Sequence, residues 1–237
     1  MTESRSLTSK TYQDIRNAIL ECQMAPGTQI RINDVCNRYG VSLSAVREAL
    51  ARLTSDGLVI AEPQKGFAVA PVSLDDLEDL TETRVAIEQF CFRSALEKGD
   101  VEWEAAVIAA YHRLSHAPIE REGQTARPTA EWMKCHTIFH EALIGACSSR
   151  RLMELRRFYA LQAERYIRMA IPLGPCFSNN EITDDHKALV DAALERRADD
   201  GCALLDRHFS RTREMLASVL STSDALTQAR PFRLARA

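Results

Sequence analysis

Residues 40–58 read Gly40-Val41-Ser42-Leu43-Ser44-Ala45-Val46-Arg47-Glu48-Ala49-Leu50-Ala51-Arg52-Leu53-Thr54-Ser55-Asp56-Gly57-Leu58. Gly40 breaks whatever helix precedes it, and Ser42 or Ser44 can cap a new one. Val46, Ala49, Leu50 and Leu53 recur at helical spacing until Gly57 stops the run. Working outward, residues 32–39 predict a short helix through Ile32, Val35 and Tyr39. Residues 8–22 predict another, with Tyr12, Ile15, Ile19 and Leu20 on one face and Pro26-Gly27 as its terminating turn. Downstream the period changes: Leu58–Glu62 and Phe67–Val72 are short β-type runs joined by Pro63-Gln64-Lys65-Gly66. Three short helices followed by a β-hairpin is the order of a winged helix-turn-helix, with the tight Gly40-Val41-Ser42 turn between its second and third helices.

The rest of the chain has another character. After Pro71 and Ser73 the patterns are helical over about 74–98, 101–116, 128–147, 149–171, 183–198 and 200–221, with a Gly/Pro-containing joint at Pro172–Asn180. The expected fold class is therefore mainly α, an N-terminal winged helix-turn-helix followed by an all-α antiparallel helical bundle. The expected domains are 1–72 for DNA binding and 73–221 for effector and metal binding, with 222–237 as a mobile tail.

Composition narrows the function less than pattern does. Of 237 residues, 46% are hydrophobic and 27% charged, and no apolar run approaches the length of a membrane span. The polar start MTESRSLTSK lacks the apolar stretch of a signal peptide, so a cytoplasmic location is expected. Seven scattered cysteines without a CxxC pair read as free thiols in a reducing compartment. Residues 1–71 hold 8 Lys+Arg against 7 Asp+Glu, and the remainder 22 against 26. So weak a basic bias makes nucleic-acid binding a matter of pattern, not of charge.

That pattern is specific. Tyr12-x-x-Ile15-Arg16-x-x-Ile19-Leu20, Pro26-Gly27, Gly40-Val41-Ser42, Val46-Arg47-Glu48-Ala49-Leu50-x-x-Leu53, Gly57-Leu58-Val59 and Gly66-Phe67-x-Val69 together resemble the winged helix of the GntR family. The resemblance implies a third helix that enters the major groove by its first turn, offering Ser42, Leu43, Ser44 and Arg47. An arginine there can fork onto a guanine edge, and hydroxyls suit phosphate oxygens. Arg31 and Arg38 become candidates for backbone contacts, and Lys65 and Gly66 for the wing tip. The family commonly has arginine where this chain has Leu43, which can touch a thymine methyl but cannot read guanine. An altered operator preference, or weaker affinity, follows.

Six histidines occupy positions 112, 116, 136, 140, 186 and 208. Trp132, His136, Phe139/His140 and Leu143 share one helical face. His186 aligns with Leu189/Val190 and Ala193, and His208 with Leu204/Leu205, Thr212 and Met215. One inward histidine is usually a hydrogen-bonded core residue. Four converging in one bundle all need partners, and a single divalent metal satisfies them together. His112-x-x-x-His116 has the same spacing as His136-x-x-x-His140 but lies at a helix end beside Pro118 without remote partners, so it reads as surface.

With Arg84-x-x-x-Glu88 and the Phe139-His140 pair, residues 74–215 resemble the FCD ligand-binding domain of the FadR-type branch of GntR regulators. The resemblance implies a metal site at His136, His140, His186 and His208 that holds a small carboxylate effector beside an arginine. Where the family uses aspartate, this chain has His136, and an all-nitrogen set favours Zn²⁺ or Ni²⁺ over Mn²⁺ or Mg²⁺. Arg84, on the stripe Leu77, Leu80, Arg84, Ile87, Cys91, is the first effector-binding candidate. A buried guanidinium needs an anion, either Glu88 or a ligand. Arg165, beside Tyr166, is the second. The implied protein is a homodimer on a palindromic double-stranded operator, acting as a repressor whose operator affinity the effector controls.

Two rivals stay open at this level. A helical metal-dependent enzyme would use the metal to activate water. No HExxH occurs, however, and Phe139 stands where the reversed zinc-protease pattern needs glutamate. In the other, the metal is purely structural, since four protein ligands close a tetrahedral zinc site.

Overall fold

The computed structural model describes residues 2–122, 125–171, 177–178 and 181–221. The tail expected at 222–237 and most of the Pro172–Asn180 joint lie outside the described residues. The chain groups into two compact units. The first holds the residues up to Leu77, Leu161–Met169 and the chain from Leu220; the second holds Glu78–Ala160 and Ala170–Val219.

In the first unit, α1 (Thr2–Leu20) is followed by the two-residue strand β1 (Gln29–Ile30), α2 (Ile32–Tyr39) and α3 (Leu43–Ser55). Strands β2 (Val59–Glu62) and β3 (Gly66–Val69) complete a winged helix. The turn between α2 and α3 is set locally. Gly40 takes φ 66°, a left-handed conformation that favours glycine, and its N–H returns to the Cys36 carbonyl. Ser42 then caps α3, its Oγ accepting from Ala45 N at 3.3 Å. The hairpin turn is Pro63-Gln64-Lys65, one residue shorter than expected, because Gly66 (φ 91°) already pairs with Glu62. Strand β1, unanticipated, pairs antiparallel with β3 and gives the sheet order β1-β3-β2. Ile15, Ile19, Leu20, Val35, Val46, Leu50, Leu53 and Leu58 form the core beneath it.

Most helices of the second part match their expected spans closely: α4 (Leu74–Lys98), α5 (Val101–His116), α6 (Ala130–Leu143), α7 (Arg150–Ala170), α8 (Glu181–Leu194) and α9 (Ala198–Ser221). A small antiparallel sheet is added to them. Strands β4 (Ile119–Glu122), β5 (Thr125–Pro128) and β6 (Phe177–Ser178) pair in that order. Phe92, Trp103, Val107, Phe139, Leu143, Leu189 and Leu205 are buried in the second unit. Trp103 Nε1 donates to the Ala142 carbonyl at 2.9 Å, so the buried indole keeps its hydrogen bond. Among the described residues no helix is long and apolar enough to cross a membrane.

Candidate functional site

The first turn of α3 presents Ser42, Leu43, Ser44 and Arg47 to solvent. Leu43 is 48% exposed, a large apolar side chain only half covered by its own fold. Ser42 Oγ and Ser44 Oγ lie 3.1 Å apart. Among the described residues no hydrogen bond or ion pair holds Arg47, which leaves its fork available. Its neighbours Val46, Ala49 and Leu50 are fully buried, so the apolar side of α3 fixes the direction of the exposed side.

The other basic candidates are placed less freely. Arg31 is exposed at the N-terminal cap of α2. Arg38 donates to Gln23 Oε1 at 2.7 Å and lies over the Tyr39 ring. Both arginines line a cavity of about 310 Å³ with Asp34 and Tyr39. At the wing tip Lys65 stands 3.7 Å from Glu62, and its carbonyl accepts from Gln29 Nε2. Lys65 and Gly66 are both exposed.

In the second unit the four histidines converge. His136 and His140 on α6, His186 on α8 and His208 on α9 each offer a ring nitrogen, and these atoms all lie within 4.8 Å of one another. His136 Nε2 and His140 Nε2 are 3.1 Å apart, and the His140 and His208 ring centres are 5.1 Å apart. Trp132 stacks on His136 at 4.8 Å and Phe139 meets His186 edge-on, so the rings are locked by packing. Buried His140 Nδ1 has no hydrogen-bond partner among the described residues, an orphan that needs an explanation.

Burial holds the imidazoles of His136 and His140 well below the ordinary histidine range, with the neighbouring imidazoles and Arg156 adding to the shift. Burial likewise pushes His208 down to about 4, helped by Arg84 and opposed by Glu88. These rings are neutral near pH 7, the form that ligates metal. A tetrahedral zinc with Zn–N of about 2.0–2.1 Å separates its nitrogens by roughly 3.4 Å. Four crowded imidazoles, with His136, His140 and His208 neutral, therefore fit such an ion with small adjustments. The exposed pair His112 and His116 does not: His116 Nδ1 is 2.8 Å from the His112 carbonyl.

Arg84 points inward as its stripe predicts. It lies over the Phe209 ring at 4.4 Å and 3.8 Å from Glu88, and its Nε has no partner among the described residues. Burial pushes this guanidinium down to about 10, against the pull of Glu88 and with the repulsion of Arg156. The principal partner of Glu88 is Arg156 on α7, at 2.9 Å. Sequence reasoning missed Arg156. Its signal was its place on the inward stripe Leu152, Arg156, Tyr159, Ala163 of α7, buried at Arg156 and Ala163 and partly buried at the other two. Glu88 Oε2 also lacks a hydrogen bond among the described residues. Buried Arg156 and the largely buried Arg84 thus share one buried carboxylate; among the described residues half-exposed Glu141 also stands 3.7 Å from Arg156. Among the buried groups here two guanidiniums meet one carboxylate.

Asp185 was also missed. It is buried beside His186, paired with Arg211, and 3.6 Å from His208 Nδ1. A carboxylate behind a ligating histidine orients its ring. Arg165 corrects the expectation made for it. It lies in the first unit, where Nη1 donates to the Ala70 carbonyl and Nη2 to the Pro71 carbonyl, both at 2.9 Å. Both terminal nitrogens are thus engaged by backbone, and Nε has no partner among the described residues; these contacts are structural and favour a positioning role over effector binding.

Comparison with known proteins fits this geometry. Residues 7–69 match the family described as bacterial regulatory proteins, gntR family, and residues 79–211 match the FCD domain. The chain is 40% identical to the HTH-type transcriptional regulator BphR of Paraburkholderia xenovorans, over 86% of this chain and 82% of that protein. It is 30% identical to the HTH-type transcriptional repressor GlaR of Escherichia coli, over 83% and 90%. Among solved structures, E. coli McbR/YncC superposes with a TM-score of 0.69 at 18% identity, covering 90% of this chain and 97% of that one. A GntR regulator from Rhodococcus sp. RHA1 gives 0.67 at 22%, covering 92% and 99%. At these identities the two structures support the fold.

Proposed function

Because this chain belongs to the GntR family of transcription regulators, with an FCD domain behind its winged helix, we propose that it is a repressor whose grip on a palindromic operator is set by a small carboxylate bound beside a histidine-held metal. It is a DNA-binding regulator, not an enzyme, as its family and relatives are. The observation that carries the sensing half is the pairing of four crowded imidazoles with a buried, partly unsatisfied Arg84. A site with only a structural metal has no need of a second buried cation.

His136, His140, His186 and His208 would hold Zn²⁺ or Ni²⁺, with Asp185 steadying His208. When bound, the ion supplies a Lewis-acidic anchor for a carboxylate oxygen. Arg84 supplies a charge-assisted hydrogen bond to the same anion, and Phe209 shields it from water. The anion relieves the charge excess that Glu88 alone leaves.

On the DNA side Arg47 reads a guanine edge, Ser42 and Ser44 take phosphate or base contacts, and Leu43 meets a thymine methyl. Arg31, Arg38, Lys65 and Gly66 hold the backbone. A homodimer places two such turns on two half-sites. The GlaR relative is named a repressor, which supports that sign.

Two measurements test this reading. Arg47→Ala is expected to weaken binding to a duplex selected by the wild-type protein by about 2 kcal/mol or more over two half-sites, roughly thirtyfold. Unchanged gel retardation sinks the DNA-reading assignment. Metal analysis of the purified protein, with thermal shift against a panel of carboxylates, separates sensing from a structural metal. Stoichiometric zinc and a carboxylate-specific shift that Arg84→Met removes are the expected pair.

A further inference from the structure

Helix α7 contains no glycine or proline between Arg150 and Ala170, so nothing in its sequence invites a kink. Its residues 161–169 belong to the first unit. There Leu161 packs against the winged-helix core. Gln162 Nε2 donates to the carbonyl of Asp56, the residue that closes α3. The Arg165 fork spans the Ala70 and Pro71 carbonyls. The Tyr166 hydroxyl accepts from Ser73 N at 3.2 Å and donates to the Asp76 carboxylate, with the Ser73 carbonyl at 3.1 Å. Arg165 is 3% exposed and Tyr166 0%, so the arginine and tyrosine ends of these bonds are buried, although Asp76 itself is exposed.

A buried arginine spent on backbone carbonyls is costly to maintain. Apolar residues would pack the same volume without that cost. What the fork and the hydroxyl provide is direction. They pin residues 70–76, the stretch that leaves β3, while Gln162 holds the end of the recognition helix.

We propose that Arg165 and Tyr166 are positioning residues for operator binding, a clamp on residues 70–76 that, with Gln162, fixes how α3 is presented.

The test uses the full chain and three substitutions. Tyr166→Phe removes only a hydroxyl, Arg165→Lys keeps the charge without the fork, and Arg165→Met removes both. Amide exchange over residues 70–76, zinc content and operator affinity are read on each, the operator being a duplex selected from random sequence by the wild-type protein. Tyr166→Phe and Arg165→Met are expected to speed exchange over 70–76 and weaken operator binding roughly tenfold. Arg165→Lys should fall between them and the wild type, and zinc content should not move. Operator affinity within twofold of wild type in both Tyr166→Phe and Arg165→Met, whatever the exchange rates, overturns the clamp. Should the wild-type protein hold no zinc, the sensing reading fails while the operator comparison still decides the clamp.

Discussion

Replacing Arg156 with methionine lowers the stability of the helical unit by about 3–5 kcal/mol, because it strands Glu88 as a buried carboxylate with only Arg84 near it. Glu88 is 1% exposed and Arg156 4%, and the bond between them is the shortest that the carboxylate makes. Arg84 cannot simply take over. It stands 3.8 Å away, committed to the Phe209 face. The urea midpoint of the unit's unfolding transition reads the effect, and a shift worth under 1 kcal/mol would contradict it. Glu141→Gln is the matched control. That carboxylate is 3.7 Å from Arg156 but 51% exposed, so losing it should change stability by about 0.5 kcal/mol or less. Replacing Glu88 and Arg156 together by methionine should recover little of the loss, since it leaves the largely buried Arg84 without its carboxylate.

Removing His186 and His208 together takes two of four donors from the site, and stoichiometric zinc is expected to disappear from the purified protein. The stabilisation that zinc confers goes with it, about 4 kcal/mol at a thousandfold excess over the dissociation constant. Metal analysis and a zinc titration of the melting temperature measure both. His112→Ala/His116→Ala supplies the control, having the same helical spacing on an exposed helix end. Retained stoichiometric metal in the first double variant refutes the site, as does lost metal in the second.

The winged helix was legible because its decisive signals are local. Gly40 must be left-handed, Ser42 must cap, and Val46, Ala49, Leu50 and Leu53 must face one way, whatever the rest of the chain does. Strand β1 was not legible, since two residues carry no period and their partners Phe67 and Ala68 lie almost forty positions on. The second sheet failed for a similar reason. Ile119-Glu120-Arg121-Glu122 and Thr125-Ala126-Arg127-Pro128 lack alternation, and the pairing to Phe177–Ser178 is long-range. The histidines were legible because helical spacing brings His136 and His140 together and apolar stripes turn His186 and His208 inward. Arg156 and Arg165 were harder. Both sit on buried positions of one helix, but what each binds, a remote glutamate or two backbone carbonyls, is a tertiary fact that spacing cannot contain.

The neutrality of the crowded imidazoles has a calorimetric consequence. An ordinary histidine is about a quarter protonated at pH 7, so three of them would shed close to one proton on taking up a metal, and the buffer would absorb it with its own heat. His136, His140 and His208 have already been stripped of that proton by burial. For these three rings zinc uptake should therefore add little heat that depends on the ionisation enthalpy of the buffer. A drop of half a pH unit leaves them neutral and able to hold the ion.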